Sequence, residues 1–164
     1  MSKTEQALRE AFQGESQANR RYLAFARQAE AEGLPQVAKL FRAAAEAETV
    51  HALNHLRALK EVKSTKENLQ AAIGGERYEF QSMYPPMIEA AKAEGAREAQ
   101  QSFSWANEVE KVHAELFSKA LKDPAALPRV DYYVCATCGY TVEGQPPQKC
   151  PICGSAREAF RKVD

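Results

Sequence analysis

Residues 43–56 read AAAEAETVHALNHL, and this stretch places acid and imidazole on a helix face that should be apolar. Stepping by four and three from Val37 passes Phe41, Ala44, Glu48, His51 and His55 and then reaches Leu59, a spacing that keeps all of them on one side of a helix. Glu46 precedes Glu48 by two positions, about 200° round the helix, and is expected in solvent. A selected glutamate and a histidine three residues later therefore point with the core.

The same interruption recurs along the chain. A first helix offers Leu8, Ala11, Glu15, Ala18, Tyr22 and Phe25; a third offers Leu69, Ala72, Glu76, Glu79 and Met83; a fourth offers Phe103, Ala106, Glu110, His113, Phe117 and Ala120. Gly14-Glu15 is echoed by Gly75-Glu76, and Glu48-x-x-His51 by Glu110-x-x-His113, with 33 residues from Glu15 to Glu48 and 34 from Glu76 to Glu110. One helical hairpin has been used twice.

End signals frame the helices. Ser2 with Glu5 and Ser64 with Glu67 have capping-box spacing, Pro35 suits a first turn, and Gly33 and Gly95 suit stops. The first helix is expected to stop at Gly33, the second to run from Pro35 to about Glu61, the third from Ser64 to Gly95, and the fourth from about Ala96 to Leu121. Pro85 and Pro86 predict a kink or break in the third. The stretch KDPAALPRVD (122–131) reads as a semi-rigid linker able to span roughly 30 Å. The expected organisation is a helical domain over 1–122, a linker over 123–131 and a small domain over 132–164.

With 22 Lys plus Arg against 22 Asp plus Glu, there is no global field to draw nucleic acid or an anionic membrane. MSKTEQALREAF has no apolar run like that of a signal peptide, and nowhere do eighteen apolar residues occur together, so a cytoplasmic protein is expected. All four cysteines fall in two Cys-x-x-Cys pairs, Cys135/Cys138 and Cys150/Cys153, which in a reducing compartment favours a metal over disulfides. Four thiolates make a soft tetrahedral site, open from spacing alone between iron and structural zinc. Gly139 and Gly154 suit the tight turns that follow each pair, and Tyr132, Tyr133, Tyr140 and Phe160 supply a small aromatic core.

Packed together, the helical stripes bring Glu15, Glu48, Glu76, Glu79 and Glu110 to one level with His51 and His113. Burying an ion costs several kcal/mol even after relaxation, so five carboxylates require a counter-charge. Two divalent metals supply it, and mixed carboxylate and imidazole donors suit iron or manganese. One Glu from each of two helices plus Glu-x-x-His from each of the others is the pattern of ferritin-like di-iron and di-manganese proteins. Tyr22 and Tyr84 are each read equally as core aromatics or as hydrogen-bond donors to a metal-bound carboxylate. His55 lies at the core edge or behind a ligand, since Ala52 occupies the acid position that a zinc-protease motif requires. Trp105 reads as core.

Together GESQANRRY, AEAETVHALNHLRAL, ENLQAAIGGERYEFQSMYP, VEKVHAELF and CATCGY…CPICG resemble the rubrerythrins over essentially the whole chain. The resemblance implies an all-α ferritin-like four-helix bundle followed by a rubredoxin-like four-cysteine domain. It implies a non-haem peroxidase that reduces hydrogen peroxide to water in oxidative-stress defence, with two iron ions in the carboxylate site and one iron, or zinc in the protein as isolated, in the tetrathiolate site. Electrons would come from NAD(P)H through an external donor protein, rubredoxin or its reductase, and then through the tetrathiolate iron of the partner chain. Glu48 and Glu110 would bridge the irons, Glu15 would be terminal on one, and Glu76 with His113 would hold the other. Glu79 and His51 would alternate on one iron as it changes oxidation state.

That ligand pattern makes the second and third helices parallel. A helix of about 27 residues is roughly 40 Å long, whereas the connector over 62–65 stretches to about 14 Å. A homodimer that exchanges hairpins between chains is therefore expected, with a simple up-down-up-down bundle as the competing geometry. A ferritin-like iron store and a zinc-ribbon adaptor are the readings from other functional classes.

Overall fold

The computed structural model describes residues Met1–Asp164. In chain order it contains α1 (Lys3–Ala31), α2 (Pro35–Leu59), α3 (Thr65–Tyr78), a π-helical turn (Glu79–Met83), α4 (Tyr84–Ala93), α5 (Arg97–Lys122) and strands β1 (Tyr132–Cys135), β2 (Thr141–Glu143) and β3 (Phe160–Val163), with a 3₁₀ turn at Arg157–Ala159. The chain divides into two compact units, 1–63 and 64–164. The linker thus lies inside the second unit, and the division falls between the second and third predicted helices. No helix is long and apolar enough to cross a membrane.

The first unit is the α1–α2 hairpin. Ser2 caps α1 by accepting the Glu5 N–H at 3.1 Å, Gly33 takes a left-handed turn at φ 74°, and Pro35 opens α2 without forfeiting a helical hydrogen bond. Its core is built from alanines: Ala26, Ala29 and Ala38 pack beneath Phe41, and Ala45 and Ala52 are buried further along. Small side chains let the helix backbones approach, and Asn19 uses that proximity to donate to Ala45 O at 2.7 Å and Thr49 Oγ1 at 2.9 Å. Larger apolar groups remain outside this core, with Phe25 47% and Val37 41% exposed. Lys60 ends α2 in the left-handed region at φ 56°.

The second unit repeats the hairpin with α3, the π turn and α4 against α5. A full capping box opens α3: the Glu67 N–H donates to Ser64 Oγ, and the Ser64 N–H donates to Glu67 Oε2 at 3.2 Å. The break expected at Pro85 and Pro86 takes the form of the π turn just before them. Prolines cannot donate to the preceding turn and crowd its carbonyls; the chain widens to an i→i+5 pattern, with the Tyr84 N–H bonded to Glu79 O, and α4 then starts with both prolines in its opening positions.

The C-terminal sheet has the order β2-β1-β3, antiparallel throughout, with Tyr132 opposite Glu143 and Cys135 opposite Phe160. It lies against α5 of its own chain. Lys119 pairs with Glu143 at 2.5 Å, the Tyr132 hydroxyl donates to the same carboxylate at 3.1 Å, and buried Val109 stands where a side chain on Gly139 would meet it.

Because the capping box satisfies donors at both the cap and the third helical position, Ser64→Ala is expected to destabilise the second unit by about 1 kcal/mol. Urea unfolding followed by circular dichroism checks this.

Candidate metal centres

The four cysteines are free of disulfides and their sulfurs lie within 4.8 Å of one another. Cys135 Sγ is 3.7 Å from Cys153 Sγ, and Cys138 Sγ is 3.6 Å from Cys150 Sγ. A tetrahedron with metal–sulfur bonds of about 2.3 Å has edges of about 3.8 Å, so a single tetrahedral ion fits these sulfurs. Two matching turns hold them. The Gly139 N–H donates to Cys135 O at 2.9 Å and the Gly154 N–H to Cys150 O at 3.0 Å, each glycine at a positive φ, +85° and +77°, that a residue with a side chain adopts only with strain. Burial pushes the Cys138 thiol up, whereas at Cys153 the upward push of burial is outweighed by hydrogen bonding to Ser155, Cys138 and Cys150, which brings it down to about 6. Cys153 thus ionises easily while Cys138 resists.

In the first unit Glu15, Glu48 and His51 form a cluster; in the second Glu76, Glu110 and His113 form another, the ligating atoms of each within 4.8 Å. The clusters share one geometry. His51 Nδ1 stands 3.0 Å from Glu48 Oε2 and 3.9 Å from Glu15 Oε1, and His113 Nδ1 stands 2.8 Å from Glu110 Oε2 and 3.8 Å from Glu76 Oε2. In both, the i, i+3 pair comes from the later helix and the third donor from the earlier one. Hydrogen bonding to Glu48 pushes the Glu15 carboxyl up, while Glu48 is held down by that bond and by His51. Burial, then the charge of Glu110, pushes Glu76 up, and burial raises Glu110. Facing carboxylates that resist simultaneous ionisation, each with an imidazole nitrogen beside them, form a donor set that accepts a divalent cation.

Glu79 lies in the π turn, outside the three-residue cluster of its unit, with its carboxyl raised by burial and by Glu76. In an α-helix Glu79 and Tyr84, five residues apart, diverge; the i→i+5 pattern brings them toward one face. Burial and then the charges of Glu110, Glu79 and Glu76 push the Tyr84 phenol up, so it remains a hydrogen-bond donor among three carboxylates. Phe103 packs beside its ring at 6.3 Å. Tyr22 lies in an aromatic group, 6.4 Å from Phe25 and 6.2 Å from Phe41. His55 is half-buried, close enough to Glu15 for its charge to lower that carboxyl.

A family model described as Rubrerythrin matches residues 6–121, and one described as the rubrerythrin rubredoxin-like domain matches 133–161. The chain belongs to the rubrerythrin family. Its relatives include Rubrerythrin-2 of Clostridium acetobutylicum, 37% identical over 94% of this chain and 93% of the relative. Nigerythrin of Nitratidesulfovibrio vulgaris is 34% identical over 93% and 83% respectively. A solved nigerythrin structure in a mixed-valence state superposes with a TM-score of 0.60, at 34% identity, over 99% of this chain and 88% of that one. This rubrerythrin accordingly combines a helical domain carrying a candidate carboxylate and histidine di-metal site with a rubredoxin-like four-cysteine domain.

One residue that pattern reading missed is Thr141, whose Oγ1 lies 3.0 Å from His113 Nε2. It precedes no motif position and follows Gly139 and Tyr140 in an ordinary strand, so nothing in its sequence context signals the contact.

In the metal-free rubrerythrin Glu76, Glu79 and Glu110 all sit above the ordinary carboxylate value of 4.5. A carboxyl raised by folding binds its proton more tightly folded than unfolded, so its effect is most favourable in acid and is lost as pH rises through the raised values. The lowered Glu108 and Glu143 act oppositely, but through Lys111 and Lys119 pairs that salt screens. In about 0.5 M salt the metal-free second unit of a Cys153→Ser chain, which lacks the opposing thiol lowered to about 6, should therefore resist urea better near pH 5 than at about pH 7.5. Glu76→Gln should flatten that difference, and iron(II) should reverse it.

Proposed function

We propose that this rubrerythrin is a cytoplasmic hydrogen peroxide reductase of oxidative-stress defence, supplied with electrons from NAD(P)H through an external donor such as rubredoxin or its reductase. The observation that supports it most is the repeated half-site, two Glu-x-x-His pairs each meeting a third carboxylate at matching distances, in a chain that also carries a tetrathiolate. Nigerythrin has been solved in mixed-valence, partially reduced and all-ferrous states, which favours iron in the same places here. Glu15, Glu48, His51, Glu76, Glu79, Glu110 and His113 would hold two iron ions, and Cys135, Cys138, Cys150 and Cys153 would hold a third. When bound, a pair of iron ions would supply the two electrons that, with two protons, take peroxide to two waters, and a thiolate-held iron would supply one-electron transfer.

The chain's own groups shape that reaction. Tyr84, its phenol pushed up by burial and by the charges of Glu110, Glu79 and Glu76, stays protonated and adds no negative charge. Glu79, on a turn held open by Pro85 and Pro86, is the carboxylate whose backbone support differs from all the others, which suits it to the exchange with His51 at a changing metal. Phe117 beside His113 and Phe103 beside Tyr84 wall the second half-site with hydrocarbon.

The two half-sites come together in a homodimer that exchanges hairpins. Three features support this: each compact unit carries one set of three donors, α2 is 25 residues or about 38 Å long, and only 60–64 connect it to α3. The half-exposed Phe25, Val37 and Met87 give each hairpin apolar area to bury against another.

Glu79→Ala is expected to fold and to retain the tetrathiolate colour while losing most peroxidase turnover. Turnover equal to the parent's overturns the role of Glu79. Anaerobically purified parent should carry about three irons per chain and run as a dimer on size exclusion with light scattering. A colourless, iron-free protein defeats the enzymatic reading.

A further inference from the structure

Outside the ligand sets, the most informative contact is the one between His113 and Thr141. Nδ1 of His113 stands against the Glu110 and Glu76 carboxylates, and Nε2 stands 3.0 Å from Thr141 Oγ1, which can accept its proton because the threonine's own proton is used elsewhere. The threonine hydroxyl has one proton of its own, and it goes to Gly139 O at 3.1 Å. Gly139 is bonded directly to Cys138. A run of hydrogen bonds and covalent bonds thus leads from the imidazole to a thiolate turn without leaving the second unit.

Each donor and acceptor in this run has a fixed direction. The Gly139 N–H is committed to Cys135 O and Thr141 Oγ1 donates to its carbonyl, so that carbonyl is held from both sides of the residue. β2 is also anchored to α5 through Glu143, which holds Lys119 and Tyr132 together. Thr141 is therefore delivered to His113 by a strand that other bonds keep in place.

We propose that Thr141 is a positioning residue: through its hydroxyl it fixes the His113 tautomer, keeps Nδ1 free toward the carboxylates, and joins the thiolate domain to the carboxylate half-site of its own chain. Each chain then has its own connection between its two ligand sets, independent of any partner's thiolate domain. This rests on reading Glu76, Glu110 and His113 as metal donors, but the hydrogen bond itself does not.

The test uses the full chain loaded with zinc(II), which is diamagnetic, and nitrogen-15 histidine labelling. The parent should show His113 protonated at Nε2 with slow solvent exchange of that proton. Thr141→Val, similar in shape and without the hydroxyl, should speed exchange about tenfold, the factor that corresponds to one hydrogen bond of ordinary net strength, while Thr141→Ser restores protection. Zinc content, measured in parallel, reports the metal reading separately: zinc confined to the cysteines defeats that reading and leaves the His113 proton to be scored.

A labelled Thr141→Val chain, refolded with an excess of unlabelled parent, decides which chain supplies the hydroxyl. Persistent fast exchange supports the connection within one chain. Recovery of protection means that the partner's threonine reaches His113 and overturns it, as does an unprotected Nε2 in the parent.

Discussion

Half-buried carboxylates that face one another impose the main constraint on this chain. Glu76 and Glu110 resist ionising together, and Glu15 and Glu48 share a proton unequally. Such an arrangement is relieved by protonating one partner or by a cation, and the surrounding structure must hold the oxygens together. Much of the fold follows from holding those oxygens in place. Alanines at Ala26, Ala29, Ala38, Ala45 and Ala52 bring α1 and α2 close enough for Glu15 to join Glu48 and His51, and Asn19 ties the two helices one turn beyond Glu15.

The second hairpin meets the same requirement with a different backbone. The earlier arm of that hairpin is helix, π turn and helix, and the extra carboxylate, Glu79, sits where the pattern changes. π segments within helices recur at functional sites because they redirect side chains without ending the helix. Here the redirection brings Tyr84 into the field of three carboxylates, which straight α-helical geometry five residues from Glu79 does not achieve. The first hairpin has no such insertion, and its tyrosine, Tyr22, is packed between phenylalanines instead.

Most of the helical boundaries were legible because they rest on local chemistry. Ser64 with Glu67, Pro35, and the glycines at 33 and 95 each act within a turn of themselves, so their consequences appear in the sequence at fixed offsets. The Glu-x-x-His pairs were legible for the same reason: three residues along a helix is one face, whatever surrounds it. The π turn was half-legible, because Pro85 and Pro86 announce an interruption but not whether the helix will break, bend or widen. Thr141 was not legible at all. Its partner is 28 residues away, and the contact exists only because β2 lies along α5, a packing decision made by Val109, Gly139, Lys119 and Glu143 together.

Glu143 receives both Tyr132 and Lys119, so the cysteine-bearing sheet is clamped to α5 by side chains on either side of the proline segment and not by that segment's length. Residues 123–131 consequently bear little mechanical load. Insertions or deletions there should pass through drift or engineering with the separation between thiolates and imidazole unchanged, because loop closure becomes only slowly costlier as a loop grows. Geometry in this half of the molecule is inherited from a clamp, which leaves the tether free to vary.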